Sequence, residues 1–95
     1  MAAYLVSRVR ITDANRFDAY RAASKPILES FGGEYVARCD KVEALDGDFP
    51  GGRVVLMRFP DTAAARAFWN SAEYRKAREL RLGAAELDLW LLPDD

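Results

Sequence analysis

A strand that stops and a helix that starts within two residues constrains this chain more than any other feature. In Phe59 to Tyr74, FPDTAAARAFWNSAEY, the apolar run Arg53 to Phe59 meets Pro60, which has no N–H to give to a sheet ladder. Asp61 follows in the N-cap position, where a carboxylate satisfies the free N–H groups of a first helical turn. Ala64, Ala65, Phe68 and Trp69 then recur at helical spacing and predict a helix with one apolar face. Asn70-Ser71-Ala72-Glu73 reads as a fresh capping box, so the helix is predicted to break at Asn70-Ser71 and restart through about Arg81, with Gly83 as its stop.

The rest of the chain is ordered around that junction. Tyr4 to Ile11 alternates with a period of two and predicts the first strand. Thr12-Asp13 offers a cap, and Phe17, Tyr20, Ser24, Ile27, Leu28 and Phe31 place an amphipathic helix over Ala14 to Phe31, ended by Gly32-Gly33. Pro26 lacks the N–H that would bond the Ala22 carbonyl, which predicts a bend there. Glu34 to Leu45 reads as one long strand with a bulge or bend at Cys39-Asp40-Lys41, Asp46 to Gly52 as a turn, and Glu86 to Leu92 as the last strand. The order β-α-β-β-α-β is the split βαβ pattern of ferredoxin-like folds. It predicts one α+β domain over residues 1–95, a four-stranded antiparallel sheet with its helices on one face.

Strand parity separates the two faces of that sheet. The helix-facing set is Leu5, Val9, Ile11, Ala37, Cys39, Val55, Met57, Phe59, Leu87, Leu89 and Leu91, nearly all apolar. The opposite set is Tyr4, Val6, Arg8, Val36, Arg38, Val54, Leu56, Arg58, Asp88, Trp90 and Leu92. Left in water, its apolar members would form a large exposed patch, so a second copy is expected to cover them. The expectation is a symmetric homodimer with two sheets face to face through Val6, Arg8, Val36, Arg38, Val54, Leu56, Arg58 and Trp90. A chain of 95 residues is small enough to gain from such burial.

Composition removes several kinds of chemistry. The chain has no histidine and a single cysteine, which excludes Ser-His-Asp and Cys-His catalysis, proximal-histidine haem ligation and the usual zinc sites. Cys39 is expected to be a small buried side chain. Asp46-Gly47-Asp48 lacks the further oxygen ligands of a calcium loop and reads as a tight turn. Composition leaves carboxylate-bound magnesium or calcium open, but with no such ligand set in the sequence the expectation is no metal and no cofactor. A formal net charge of −1 supplies no basic field for nucleic acid. No apolar run approaches the roughly 20 residues of a membrane span, and the N-terminus enters a strand without a signal-type segment, so the expected location is cytoplasmic.

Taken together, the residues resemble a family of small bacterial proteins, domain of unknown function 1330, within the dimeric α/β-barrel superfamily. The resemblance covers nearly the whole chain. It rests on Asp13 with Tyr20-Arg21, on Gly32-Gly33 followed by Tyr35 and Ala37-Arg38, and on Val42-Glu43, Leu45 and Gly47-Asp48. Phe59-Pro60, Ala65, Trp69, Ser71, Glu73 and Tyr74 continue it, and Arg81 and Ala85 fit as well. Phe31 stands where the family often has histidine, and Cys39-Asp40 where it often has Gly-Gly. The resemblance implies a dimer whose sheets form a barrel, with small-molecule pockets between sheet and helices in some members. Superfamily relatives include cofactor-free monooxygenases, lactone isomerases, haem-degrading enzymes and stress-responsive proteins, so the resemblance implies no single activity.

The candidate ligand-binding residues are Trp69, Asn70, Ser71, Tyr74, Tyr20 and Arg38. Trp69 and Tyr74 can wall a pocket for a planar molecule while Asn70 or Ser71 supplies hydrogen bonds, although core packing and a helix cap explain the same residues. Arg8, Arg38 and Arg58 can bind a carboxylate, or can pair with Asp40 or Asp88 at an interface. Asp48 and Glu73 are a conceivable acid and base only if the fold brings them together. Three readings follow. The first is a homodimer that binds a small organic molecule or acts as a minor enzyme. The second is a cofactor-independent monooxygenase for a phenol or quinol, whose base without histidine must be Asp, Glu, Tyr or a substrate group. The third is a structural or interaction protein with a filled interior, and an open cavity bordered by Trp69 is what separates it from the others.

Overall fold

A computed structural model describes residues 1–94. Its elements are strand β1 (Ala3–Ile11), helix α1 (Ala14–Ser30), strands β2 (Glu34–Cys39) and β3 (Arg53–Phe59), helices α2 (Thr62–Asn70) and α3 (Ala72–Arg78), a 3₁₀ turn at Glu79–Arg81, and strand β4 (Ala85–Leu92). The strands form one antiparallel sheet in the order β2-β3-β1-β4. With the helices on one face, this is the ferredoxin-like arrangement that the element order predicts.

The chain turns where its side chains satisfy free backbone groups. Asp13 and Asp61 cap α1 and α2, each carboxylate accepting from the N–H three residues on. Phe31 closes α1, and Gly32, at φ +81°, lets the Gly33 N–H donate to the Leu28 carbonyl at 3.0 Å. Gly33 has no room for a larger side chain, because a Cβ there would lie 2.7 Å from the Phe59 ring and 2.8 Å from Leu28. Helix α1 runs unbroken across Pro26, so the expected bend does not divide it. The break at Asn70-Ser71 is present, with Ser71 alone as the cap: its hydroxyl accepts from the Tyr74 N–H at 3.1 Å. Asn70 is the last residue of α2, and Glu73 lies in the first turn of α3, one position short of the reciprocal capping-box place.

The predicted strand Glu34 to Leu45 is corrected twice. It ends at Cys39, because its neighbour begins only at Arg53 and Cys39 already pairs with Val54. Residues beyond Asp40 have no strand left to pair with; Val42 to Leu45 run as loop, and Leu45 is 92% exposed. The bulge lies between Tyr35 and Ala37, earlier than expected. One extra residue exchanges the two faces beyond it. Arg38 therefore registers with Val55 on the helix side, while Ala37 and Cys39 register with Leu56 and Val54 on the outer side. Cys39 is accordingly exposed, contrary to its expected burial, and Arg38 leaves the predicted interface set.

The core sits between the sheet and the helices. Phe59, Phe68 and Leu28 are its largest fully buried apolar side chains. Phe68 is central, with ring centroids at 4.2 Å from Tyr74, 5.4 Å from Phe59 and 6.2 Å from Phe31. Phe31, at the position where the resembled family often has histidine, is thus engaged in packing. On the other face, Val6 stands directly between Leu56 and Trp90, and Trp90 is 50% exposed. Arg8 pairs there with Asp88 at 3.0 Å and Arg58 with Glu34 at 3.4 Å.

Candidate functional site

Alternation on β1 sends Leu5, Ser7 and Val9 toward the helices, and the matching residues of β3 and β4 extend that floor with Val55, Met57, Leu87 and Leu89. Over it passes α1, presenting Phe17, Tyr20, Ser24 and Leu28. Between floor and helix is a cavity that opens to solvent; counting the solvent space at its mouth, it encloses about 580 Å³. Phe68 and Tyr74 close one wall, and Tyr35, Arg21, Arg38 and Arg53 complete the lining.

Two phenols meet on the wall. The hydroxyls of Tyr20 and Tyr74 are 2.7 Å apart, a hydrogen bond between residues 54 apart in the chain. Burial pushes the Tyr20 phenol well above the ordinary range; the neighbouring Tyr74 adds to this, and Arg81, whose guanidinium lies 5.3 Å from the Tyr20 ring centroid, opposes it. Tyr20 therefore stays protonated in the native state beyond pH ~10, the ordinary phenol value. The sign of the linkage follows: above that pH the unfolded chain releases a proton that the native chain retains, so stability falls as pH rises. We expect the urea midpoint to drop above pH ~10 and Tyr20→Phe to flatten that drop. An equally steep decline in the variant would remove Tyr20 as its source.

Three arginines surround the cavity, each held differently. Arg53 donates from Nε to Asp40 at 2.6 Å, and Arg21 reaches Asp18 at 3.5 Å. Arg38 lies over the Tyr35 ring, 4.5 Å from its centroid, with no carboxylate within ion-pair distance among the described residues. The lining contains no Asp or Glu among the described residues. Nor do three His, Cys, Asp or Glu side chains gather anywhere among the described residues to hold a metal.

Of the six candidate ligand-binding residues, Tyr20, Tyr74 and Arg38 line this cavity. Trp69, Asn70 and Ser71 lie outside it. Trp69 packs beside Tyr74 with the Arg78 guanidinium 3.8 Å from its ring centroid, and the Ser71 hydroxyl is occupied by the cap. The predicted arginine trio is dispersed, since Arg8 and Arg58 are on the outer face in cross-strand ion pairs. Asp48 and Glu73 are exposed and outside the lining. Ser7 and Arg53 were readable by parity, each two residues from an apolar helix-facing neighbour. Arg21 follows Tyr20 and stands one helical turn after Phe17, which is its only signal in the sequence.

The family model described as "Domain of unknown function (DUF1330)" matches residues 2–94. No curated protein sequence matches the chain. Among solved structures, a protein of unknown function from Rhodopseudomonas palustris is similar at 24% identity and TM-score 0.77, covering 99% of this chain and 82% of its own. SnoaB, a cofactor-independent oxygenase from Streptomyces nogalater, is similar at 14% identity and TM-score 0.70, covering 99% and 93%. A dimeric ferredoxin-like protein of unknown function from a Jannaschia species gives 11% identity and TM-score 0.63, covering 99% and 100%. At these identities the likeness concerns the fold.

Proposed function

From the premise that the chain belongs to the DUF1330 family, we propose that it is a homodimer that binds a small, largely apolar organic molecule between its sheet and α1. The observation that carries this reading is the lining of the cleft, floored by aliphatic strand residues, walled by aromatic rings and open to solvent at its arginine-bearing edge. Dimerisation is supported by the apolar strip Leu56, Val6 and Trp90 and by the dimeric ferredoxin-like neighbours.

The neutral, polarity-sensitive dye prodan tests the cavity. Its emission is expected to shift to the blue with wild type and not with Leu87→Trp, which places an indole into the cavity from a half-buried edge-strand position. Far-UV circular dichroism checks that the variant folds. Absence of a shift with wild type, or the same shift with a folded Leu87→Trp protein, rejects the cavity as the binding site.

Cofactor-independent oxygenation of a phenol or quinol is the second reading, favoured by the likeness in fold to SnoaB. The lining offers it no carboxylate or histidine among the described residues, and Tyr20 is held protonated, so no side chain there is suited to remove a proton near pH ~7. Binding without such chemistry asks less of these residues and is the preferred conclusion. Oxygen uptake with phenols or quinols and the wild-type protein tests the alternative, and no uptake rejects it for those compounds.

A further inference from the structure

Resting on the cavity reading above, we propose that the molecule bound there is an aromatic monocarboxylate, its ring between the sheet and α1 and its carboxylate held by Arg38 and Arg53 at the cavity's edge. The first observation is charge. A chain of net charge −1 lines this cavity with three arginines and, among its described residues, no acidic side chain. On the outer face Arg8 pairs with Asp88 and Arg58 with Glu34 across the strand, and Arg10 donates to the Pro50 carbonyl. Arg38 has no such partner among the described residues.

The second observation is position. Arg38 registers with Val55 on the helix side, and Arg53 precedes Val55 by two residues on that same side. They are diagonal neighbours on adjacent strands, a separation of about 7–8 Å at the backbone that long side chains span easily. Each is already oriented. Tyr35 lies beneath the Arg38 guanidinium, and Asp40 accepts from Arg53 Nε, which leaves that fork's terminal nitrogens for a second acceptor. Asp40 and Asp18 are the two carboxylates that offset this positive charge; each is bound to one arginine, and Arg38 remains uncompensated.

The third observation is the interior next to the charges. The rings of Phe17, Tyr20, Tyr35, Phe68 and Tyr74 border the cavity, a lining suited to the edges and faces of a planar ring. A molecule that is flat and apolar at one end and bears a single planar anion at the other matches both halves. Two guanidinium forks receive a carboxylate with parallel N–H···O bonds, which neither a neutral amide nor an alcohol can match in strength.

Competition against bound prodan by cinnamate and by its neutral counterpart cinnamamide tests the proposal on the full chain at low salt. Cinnamate is expected to displace the dye at about tenfold lower concentration than the amide, an advantage that shrinks as salt rises. Arg38→Met is expected to erase the advantage. Arg66→Met, an exposed position on α2 outside the cavity, is expected to keep it. Arg38 is exposed and lies in no ion pair among the described residues, so its replacement costs the fold only the contact with the Tyr35 ring. Equal displacement by acid and amide with wild type, or an advantage that survives Arg38→Met, overturns the proposal while the cavity still stands. A dye that never binds overturns both.

Discussion

Phe68→Ala is expected to lower the stability of this domain by about 3–5 kcal/mol, the cost of deleting a fully packed aromatic side chain. Phe68 is 2% exposed and is the ring on which Phe31, Phe59 and Tyr74 converge. Those neighbours come from the end of α1, the end of β3 and the start of α3, so one side chain links three elements. They cannot all move inward together, because Gly33 already presses within a methyl's reach of Phe59 and Leu28. The void therefore persists, and poor collapse puts the loss toward the upper part of that range. For a domain of this size, a melting temperature at least about 12 °C below wild type is expected by circular dichroism. Phe68→Leu, which keeps most of the volume, should recover much of the loss. A fall in stability of less than about 1 kcal/mol for the alanine variant would contradict the central place given to this ring.

That ring also shows what could be read without the structure. Phe68 follows Asp61 and Ala65 at helical spacing, and Pro60 fixes where the helix begins, so its burial was legible from local sequence. Trp69 is one residue further round the helix, which is enough to take it from the core to the surface beneath Arg78. Its aromatic character suggested a pocket wall, yet the wall is Tyr74 with Tyr20, two phenols whose meeting depends on how α3 docks against α1. Spacing within one element does not encode that docking. The bulge at Tyr35 to Ala37 was equally hidden. Alternation gives the face of each residue only while the register holds, and a single extra residue carried Arg38 into the cavity and Cys39 out of the core. The length of β2 was hidden for another reason, since a strand ends where its partner ends and that partner lies 14 residues further along, counting from Cys39 to Arg53.

The outer sheet face was legible because β1, β3 and β4 carry no bulge, and it supports the prediction with the largest effect. Val6 pairs with Leu56 on one side and Trp90 on the other, placing three apolar side chains abreast across the centre of the sheet. Arg8 and Arg58 flank this strip with their charges answered by Asp88 and Glu34, and Arg10, nearer the end of β1, donates to the Pro50 carbonyl at 2.9 Å. A second copy applied by a two-fold axis matches apolar strip to apolar strip. Val6→Asp then introduces an unpaired carboxylate at the centre of the contact, and symmetry introduces it twice. Burying one uncompensated charge costs about 3–5 kcal/mol, so self-association should weaken by at least about a thousandfold. Sedimentation at micromolar concentration is expected to find wild type as a dimer and Val6→Asp as a monomer. The monomer should keep its far-UV spectrum, because Val6 faces away from the core held by Phe59, Phe68 and Leu28. A wild-type protein that sediments as a monomer, or a Val6→Asp protein that still sediments as a dimer, places the contact elsewhere or nowhere. In either case the cavity on the opposite face keeps its own test, since none of Val6, Leu56 and Trp90 lines it.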